Sequence, residues 1–422
     1  MAAGACRGVA TLPGMSYEPS QEIIERYAQV LVHFALGDGA GVQPGETVRV
    51  VGSEETKPLF AEVCRAVWRT GGNVLQQLDM RQDERFNLKR DFYELASDAQ
   101  LEYFPASYRR GLVDETDHLI FVSGSDSPLA MEQVDPQKMI RHNSAQMQSY
   151  AWQQEKEAAG AFSWTVGLWG TEAMAAEAGL TLEQYWEQII TACFLDDRDP
   201  VSRWRETVGE IHRYRDWLNS LPIERLHVEA DEIDLWMTIG ERRRWVGGGG
   251  RNIPSFEVFT SPDWRGTNGR VRFSEPLYSH GTLARGVWLE FTDGVVTAAG
   301  ADENSELIEE IVAAPGDNRL GEFSLTDARV SRIDRFMANT LYDENMGGPF
   351  GNTHMAVGMS LNHAYDGDPT TVTDEQWEQL GFNLDARVHN DIVSTTDRTV
   401  TATMRDGSER VIYAGGHFQL DV

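Results

Sequence analysis

Apolar positions along this chain recur first at helical and then at strand-like spacings. Across 17–36, Ile23, Ile24, Tyr27, Ala28, Val30, Leu31 and Phe34 stand on one helical face. The turn Val42-Gln-Pro-Gly45 leads into a β-prone run at 47–52. A second helical pattern covers 56–70 and stops at Gly71-Gly72, as a helix does where glycine supplies the left-handed cap. Strand-like runs follow at 73–79, 118–124 and 162–169, with helical patterns at 135–156, 182–194 and 204–218. This alternation predicts an α/β unit with a parallel sheet. Pro222 breaks the pattern. Beyond Arg225, short apolar runs at 226–228, 234–239, 271–273, 286–291 and 295–299 are separated by turns, with a helix at 305–314. The chain closes in a hairpin through Asp406-Gly407, in which 400–404 pairs with 411–414. The expected fold class is therefore α/β: an N-terminal α/β domain with a parallel sheet, then a β-rich α+β domain. The expected boundaries are a disordered tail over 1–15, the first domain over 16–222 and the second over 223–422. A chain of 422 residues exceeds one ordinary core, which agrees with two.

Composition narrows the function. The chain is 41% apolar, yet no apolar run approaches the roughly 20 residues that span a bilayer. The first fifteen residues lack the charged start and long apolar stretch of a secretory signal. A formal charge of −29 disfavours nucleic acid and anionic membrane as partners. Cys6, Cys64 and Cys193 have no metal-like or redox spacing, so a reducing, cytoplasmic setting is expected, with Cys64 and Cys193 as core residues. Neither GxGxxG nor GxxxxGK[ST] occurs, so nucleotide binding has little support.

The candidate chemistry lies in the second half. Gly247 to Gly250 delivers the backbone into Glu257-Val-Phe-Thr260, and Asn268-Gly269 reads as a tight hairpin turn. Glu257 stands beside strand residues expected to be buried, so it needs a partner: Arg251, Arg265 or a metal. His389 and Asp391 are two apart in a β-prone run and so face the same way. His354 leads the apolar run Met355-Ala-Val-Gly358, Glu322 sits between Gly321 and Phe323, and Glu344 follows Leu341-Tyr-Asp343. Imidazoles and carboxylates together suit Zn²⁺, Mn²⁺, Co²⁺ or Fe²⁺. A carboxylate shared by two ions makes a hydrolytic two-metal site. His280 and His363 are read as surface or capping residues, with a substrate contact as the other reading. Arg242-Arg-Arg244 is a solvated basic cluster or a contact for a substrate carboxylate, and the aromatic run Trp164 to Trp169 is read as core.

These motifs carry a resemblance. Asn252-x-Pro-x-x-Glu-Val-Phe-Thr-x-Pro262, Leu320-Gly-Glu322, Leu341-Tyr-Asp-Glu-Asn345, His354-Met-Ala-Val-Gly358 and His389-x-Asp391, in that order, resemble the thermophilic-type metalloaminopeptidases, the M29 peptidases. Gln43-Pro-Gly45, Lys57-Pro-Leu59 and Ala192-Cys-Phe-Leu195 are similar too, so the likeness runs through nearly the whole chain after Met15. It implies a two-domain homodimer that removes N-terminal residues from peptides at a dinuclear centre of Zn, Co or Mn. By motif position it implies Glu257, Glu322, His354, His389 and Asp391 as ligands, Glu344 as a further acid, and Glu322 as the bridging or base-like carboxylate. The sequence departs from the family in two places. The segment Met346 to Asn352 is longer than expected. Where the family has a tyrosine seven residues after the ligand histidine, this chain has Leu361, which cannot donate a hydrogen bond. Tyr365 is the candidate to take that part. A relative of the scaffold opens dihydroxypyridine rings with O₂ on one Fe²⁺, and that chemistry, or hydrolysis of a non-peptide small molecule, is the second reading.

Overall fold

The structure is a computed structural model describing residues 17–82, 85–126, 134–279 and 281–420. The expected tail over 1–15, Cys6 and His280 lie outside the described residues.

The N-terminal region forms as its pattern predicts. Helix Gln21–His33 starts where the Ser20 hydroxyl accepts from the Ile23 amide, and it buries Ile24, Tyr27, Val30 and Leu31. Helix Lys57–Thr70 carries Pro58 in its first turn and ends at Gly71, whose φ of 85° is the left-handed conformation. The four-stranded sheet is parallel, in the order Asn73–Asp79, Thr47–Ser53, His118–Ser123, Ser163–Leu168. Its two edges differ. At Ser163–Leu168, Val166 donates to the Arg251 carbonyl (2.9 Å) and accepts from the Ile253 amide (3.0 Å), so a later segment covers that edge. Strand Asn73–Asp79 is the other edge and is exposed at nearly every position. Helices Leu88–Leu95, Ala106–Glu115 and Asp374–Leu380 were not expected. The first two carry apolar residues at exposed positions, among them Leu88, Phe92 and Leu95, which share one helical face, and Tyr108.

Beyond Ile223 the chain is strand-rich. Eight strands pair in the order Val295–Gly300, Trp288–Thr292, Asp263–Arg272, Ile233–Thr238, Ile223–Ala230, Thr399–Met404, Glu409–Ala414, His417–Phe418. Four more form a separate antiparallel sheet in the order His389–Ser394, Asn352–Gly358, Leu320–Thr326, Glu257–Thr260. The Asn268-Gly269 turn is a correction. Both residues lie inside strand Asp263–Arg272, opposite Trp236 and Leu235. Gly269 has φ 118°, and a Cβ there would stand 2.1 Å from the Asp234 carbonyl oxygen. The glycine serves a close approach of two strands within a sheet rather than a chain reversal.

One continuous set of buried apolar side chains extends from Ile24 to Phe418. Trp204, on helix Pro200–Ser220, stacks on Phe256 with ring centroids 5.2 Å apart, and Phe194 meets the same ring edge-on. This aromatic contact seats the residue just before Glu257.

Candidate metal centre

The four-stranded antiparallel sheet gathers the predicted site. Side chains alternate between faces, and the register sets Ser324 opposite both His354 and Phe259, and Ala356 opposite both Glu322 and Asp391. Glu257, Glu322, His354, His389 and Asp391 therefore project from one face, drawn from four different strands. Leu320–Thr326 and Asn352–Gly358 are buried from end to end, so Glu322 is 3% and His354 1% exposed.

The side chains meet at short range. His354 Nε2 lies 3.1 Å from Glu322 Oε1 and 3.2 Å from Glu257 Oε2. His389 Nε2 lies 3.4 Å from both Glu322 Oε2 and Asp391 Oδ1. Donor atoms of Glu257, Glu322 and His354 lie within 4.8 Å of one another, and so do those of Glu322, His389 and Asp391. Glu322 belongs to both groups and turns one oxygen toward each histidine. Both histidines are held through the other nitrogen: His354 Nδ1 donates to the Glu344 carbonyl (2.9 Å) and His389 Nδ1 to the Met359 carbonyl (2.8 Å). Such a bond fixes tautomer and ring orientation and leaves Nε2 facing the acids. The Ser324 hydroxyl donates to Glu257 Oε2 at 3.2 Å.

Burial sets the electrostatics. Burial and the charges of Glu322 and Asp391 raise the Glu257 carboxyl, against the pull of His354. Burial and the charges of Glu257 and Asp391 push Glu344 well above the carboxylate range. Burial also opposes ionisation of Glu322, but hydrogen bonds and charge from His354 and His389 outweigh it and bring the group to about 2. Both imidazoles resist the burial that would lower them and rise well above their ordinary value, because carboxylates face them. Asp391 Oδ1 is buried and accepts no hydrogen bond among the described residues. Two imidazoles face four crowded, buried carboxylates, so without an ion, protons held on Glu257, Glu344 and both imidazoles must make up the deficit of positive charge. A bound divalent cation meets that deficit, and the oxygen and nitrogen donors fit one.

Glu344 is buried beside these groups, but its carboxylate joins neither donor set. Asn345 Nδ2 donates to it at 3.2 Å, and its main-chain carbonyl orients His354. Tyr365 packs its ring on Trp377 and Phe382 beneath the Arg242 guanidinium, and none of these residues belongs to the acid cluster. The arginines offered as partners for Glu257 are engaged elsewhere: Arg251 with Glu157 and Arg265 with Asp263. His363 stands edge-on to Phe259, with centroids 5.5 Å apart. Burial and the positive charge of Arg251 push its imidazole down to about 4. Sequence reasoning passed over Ser324, Asn345, the Met359 carbonyl and Asn352, whose Nδ2 donates to the Glu344 carbonyl at 3.0 Å. Asn345 was visible within the Asp-Glu-Asn motif. A carbonyl acting from the main chain leaves no trace in residue type.

Comparison with known proteins shows the family. The family model described as thermophilic metalloprotease (M29) matches residues 20–418. Aminopeptidase 2 of Geobacillus stearothermophilus is 26% identical over 420 residues, covering 94% of this chain and 98% of that protein. Wild-type AmpT from Thermus thermophilus has a similar structure, with a TM-score of 0.78 at 24% identity over 94% of this chain and 99% of the other. The 2,5-dihydroxypyridine dioxygenase of Pseudomonas putida KT2440 shares the fold alone, with a TM-score of 0.50 at 12% identity over 94% of this chain and 96% of the other. With the match extending from the first helix to the last strand, this chain is an enzyme belonging to the thermophilic metalloprotease (M29) family.

Proposed function

We propose that the chain is an aminopeptidase that removes N-terminal residues from peptides at a dinuclear centre. The observation that carries this reading is the sharing of Glu322 between two donor groups. Glu257 and His354 complete one side, His389 and Asp391 the other, and Glu344 is a further acid beside them. When bound, two divalent ions, zinc, cobalt or manganese, supply Lewis acidity and an activated water. Glu322 would be held between the two sides as the bridging or base-like carboxylate, where it would take up and pass on a proton of the attacking water. Glu257, Glu344 and Asp391 make the pocket acidic, which favours the ammonium group of a peptide N-terminus. The Fe²⁺ ring-cleaving alternative is not favoured, because one ion does not call for two groups joined by a shared carboxylate.

The same reading makes the chain a cytoplasmic homodimer of two domains meeting near residue 222. No helix among the described residues is long and apolar enough to cross a membrane. Cys64 and Cys193 are buried and unpaired, which suits a reducing compartment. Among the described residues, every large apolar side chain that is exposed, apart from Met359 and Val411, lies between Trp68 and Tyr150. Leu75 and Leu78 of this set lie on the open sheet edge Asn73–Asp79, and a second copy is the occupant that suits it.

The deciding experiment is metal content per chain by mass spectrometry, paired with leucine p-nitroanilide hydrolysis before and after chelation. Two ions per chain and chelator-sensitive release are expected. One iron per chain, or a metal-loaded protein inert toward every amino-acid anilide, overturns the reading.

A further inference from the structure

One more polar side chain reaches the ligand face, carried by a segment crossing the rim of the sheet. Strand Glu257–Thr260 continues into Ser261. The register that sets Phe259 opposite Ser324 and Thr260 opposite Phe323 brings Ser261 alongside Glu322. The Leu361 amide donates to the Ser261 hydroxyl at 2.8 Å, so the chain passes over the face at that point. Just before, the Met359 carbonyl holds His389. Just after, Arg244 Nε donates to the His363 carbonyl at 2.9 Å. Between these anchors the His363 ring stands edge-on to Phe259, which projects from the same face as Glu257. Four contacts with three different parts of the chain thus fix where His363 lies.

The neutral donors already described around the cluster are taken, the Ser324 hydroxyl by Glu257 and Asn345 Nδ2 by Glu344. Glu257, Glu322 and Asp391 accept hydrogen bonds when ionised, and the Leu361 side chain has no donor. His354 and His389 direct one nitrogen to a carbonyl and the other to carboxylates. His363 has no hydrogen-bond partner for either ring nitrogen among the described residues. Cleaving an amide places negative charge on the carbonyl oxygen, and a fixed donor aimed at it typically contributes about 10²–10³ in rate.

We propose that His363 is a catalytic residue of this enzyme, donating a ring N–H to the carbonyl oxygen of the scissile bond as charge builds there. This rests on the aminopeptidase reading. The imidazole is neutral at ordinary working pH and always carries one N–H, so its contribution needs no titration of its own.

Three variants test it: His363→Phe, which keeps the packing on Phe259, His363→Gln, which keeps a donor, and His363→Ala, assayed with and without added imidazole. Readouts are kcat and KM for leucine p-nitroanilide and metal content per chain. In His363→Phe, kcat is expected to fall about 10²-fold with KM and metal content near wild type. His363→Gln recovers at least about tenfold of that loss, and imidazole raises kcat of His363→Ala. If His363→Phe does not fold, the Gln variant and the imidazole rescue decide. Wild-type kcat in His363→Phe, or loss of metal in all three variants without rescue, overturns the role of His363 alone. A wild-type protein that releases no p-nitroaniline overturns the aminopeptidase reading, and this role with it.

Discussion

Strand Leu320–Thr326 is buried from end to end although it carries Glu322, Ser324 and Thr326, whereas strand Asn73–Asp79 is exposed along nearly its whole length although it carries Leu75 and Leu78. The first hides polar groups that water would welcome. The second shows water apolar groups that a core would take in. Neither is stable on its own account: a buried carboxylate needs a counter-charge, and an apolar sheet edge invites another chain. The pairing teaches that function lies where the sorting of polar from apolar fails. One failure calls for a cation and the other for a protein surface.

Glu322→Ala should break the first half of the comparison most severely. We expect kcat for leucine p-nitroanilide to fall by about 10²–10⁴-fold, the range for a positioned general base, with reduced metal content. Full activity and two ions per chain in that variant would remove Glu322 from the centre. The second half is tested by Leu75→Lys combined with Leu78→Lys. Sedimentation velocity should show a dimer for wild type and a dimer weakened by roughly 10²-fold or more for the variant, since each buried leucine contributes about 1.5–3 kcal/mol. A wild-type monomer, or an undisturbed variant dimer, would leave that edge without its proposed occupant. The smallest effect belongs to a position in neither half. Gly269→Ala must push a strand away from the Asp234 carbonyl and should lose about 1–3 kcal/mol in urea unfolding, with kcat unchanged. A stability equal to wild type would mean that the neighbouring strand yields freely.

How far these features could be read in advance depends on their physical range. His389 and Asp391 were legible because a two-residue step on a strand is a local fact. His354 and Glu322 were legible because an isolated polar residue in an apolar run has to be explained. Their meeting was not legible from spacing alone, since it depends on a register between strands some thirty residues apart. Asn268-Gly269 misled for the converse reason. Its local preference for a turn is real, but pairing with Ile233–Thr238 on one side and Trp288–Thr292 on the other outweighs it. Helix Leu88–Leu95 was legible and went unread, since Leu88, Phe92 and Leu95 recur at helical spacing, whereas the ten residues of helix Ala106–Glu115 carry few large apolar side chains to mark a period. The arginine partners suggested for Glu257 were sensible neighbours in sequence, yet Arg251 reaches back to Glu157 on helix Pro136–Ala158.

The segment that covers the far edge of the parallel sheet has a consequence for modularity. Arg251 and Ile253 bond to Val166, and four residues after Ile253 the same segment supplies Glu257. A sequence division near residue 222 is therefore not a seam along which the protein can be cut. A C-terminal half expressed alone, or grafted onto the first half of a distant relative, would lose the strand and the Trp204 ring that hold this segment in place. The site in the second half thus depends on side chains and backbone that the first half supplies.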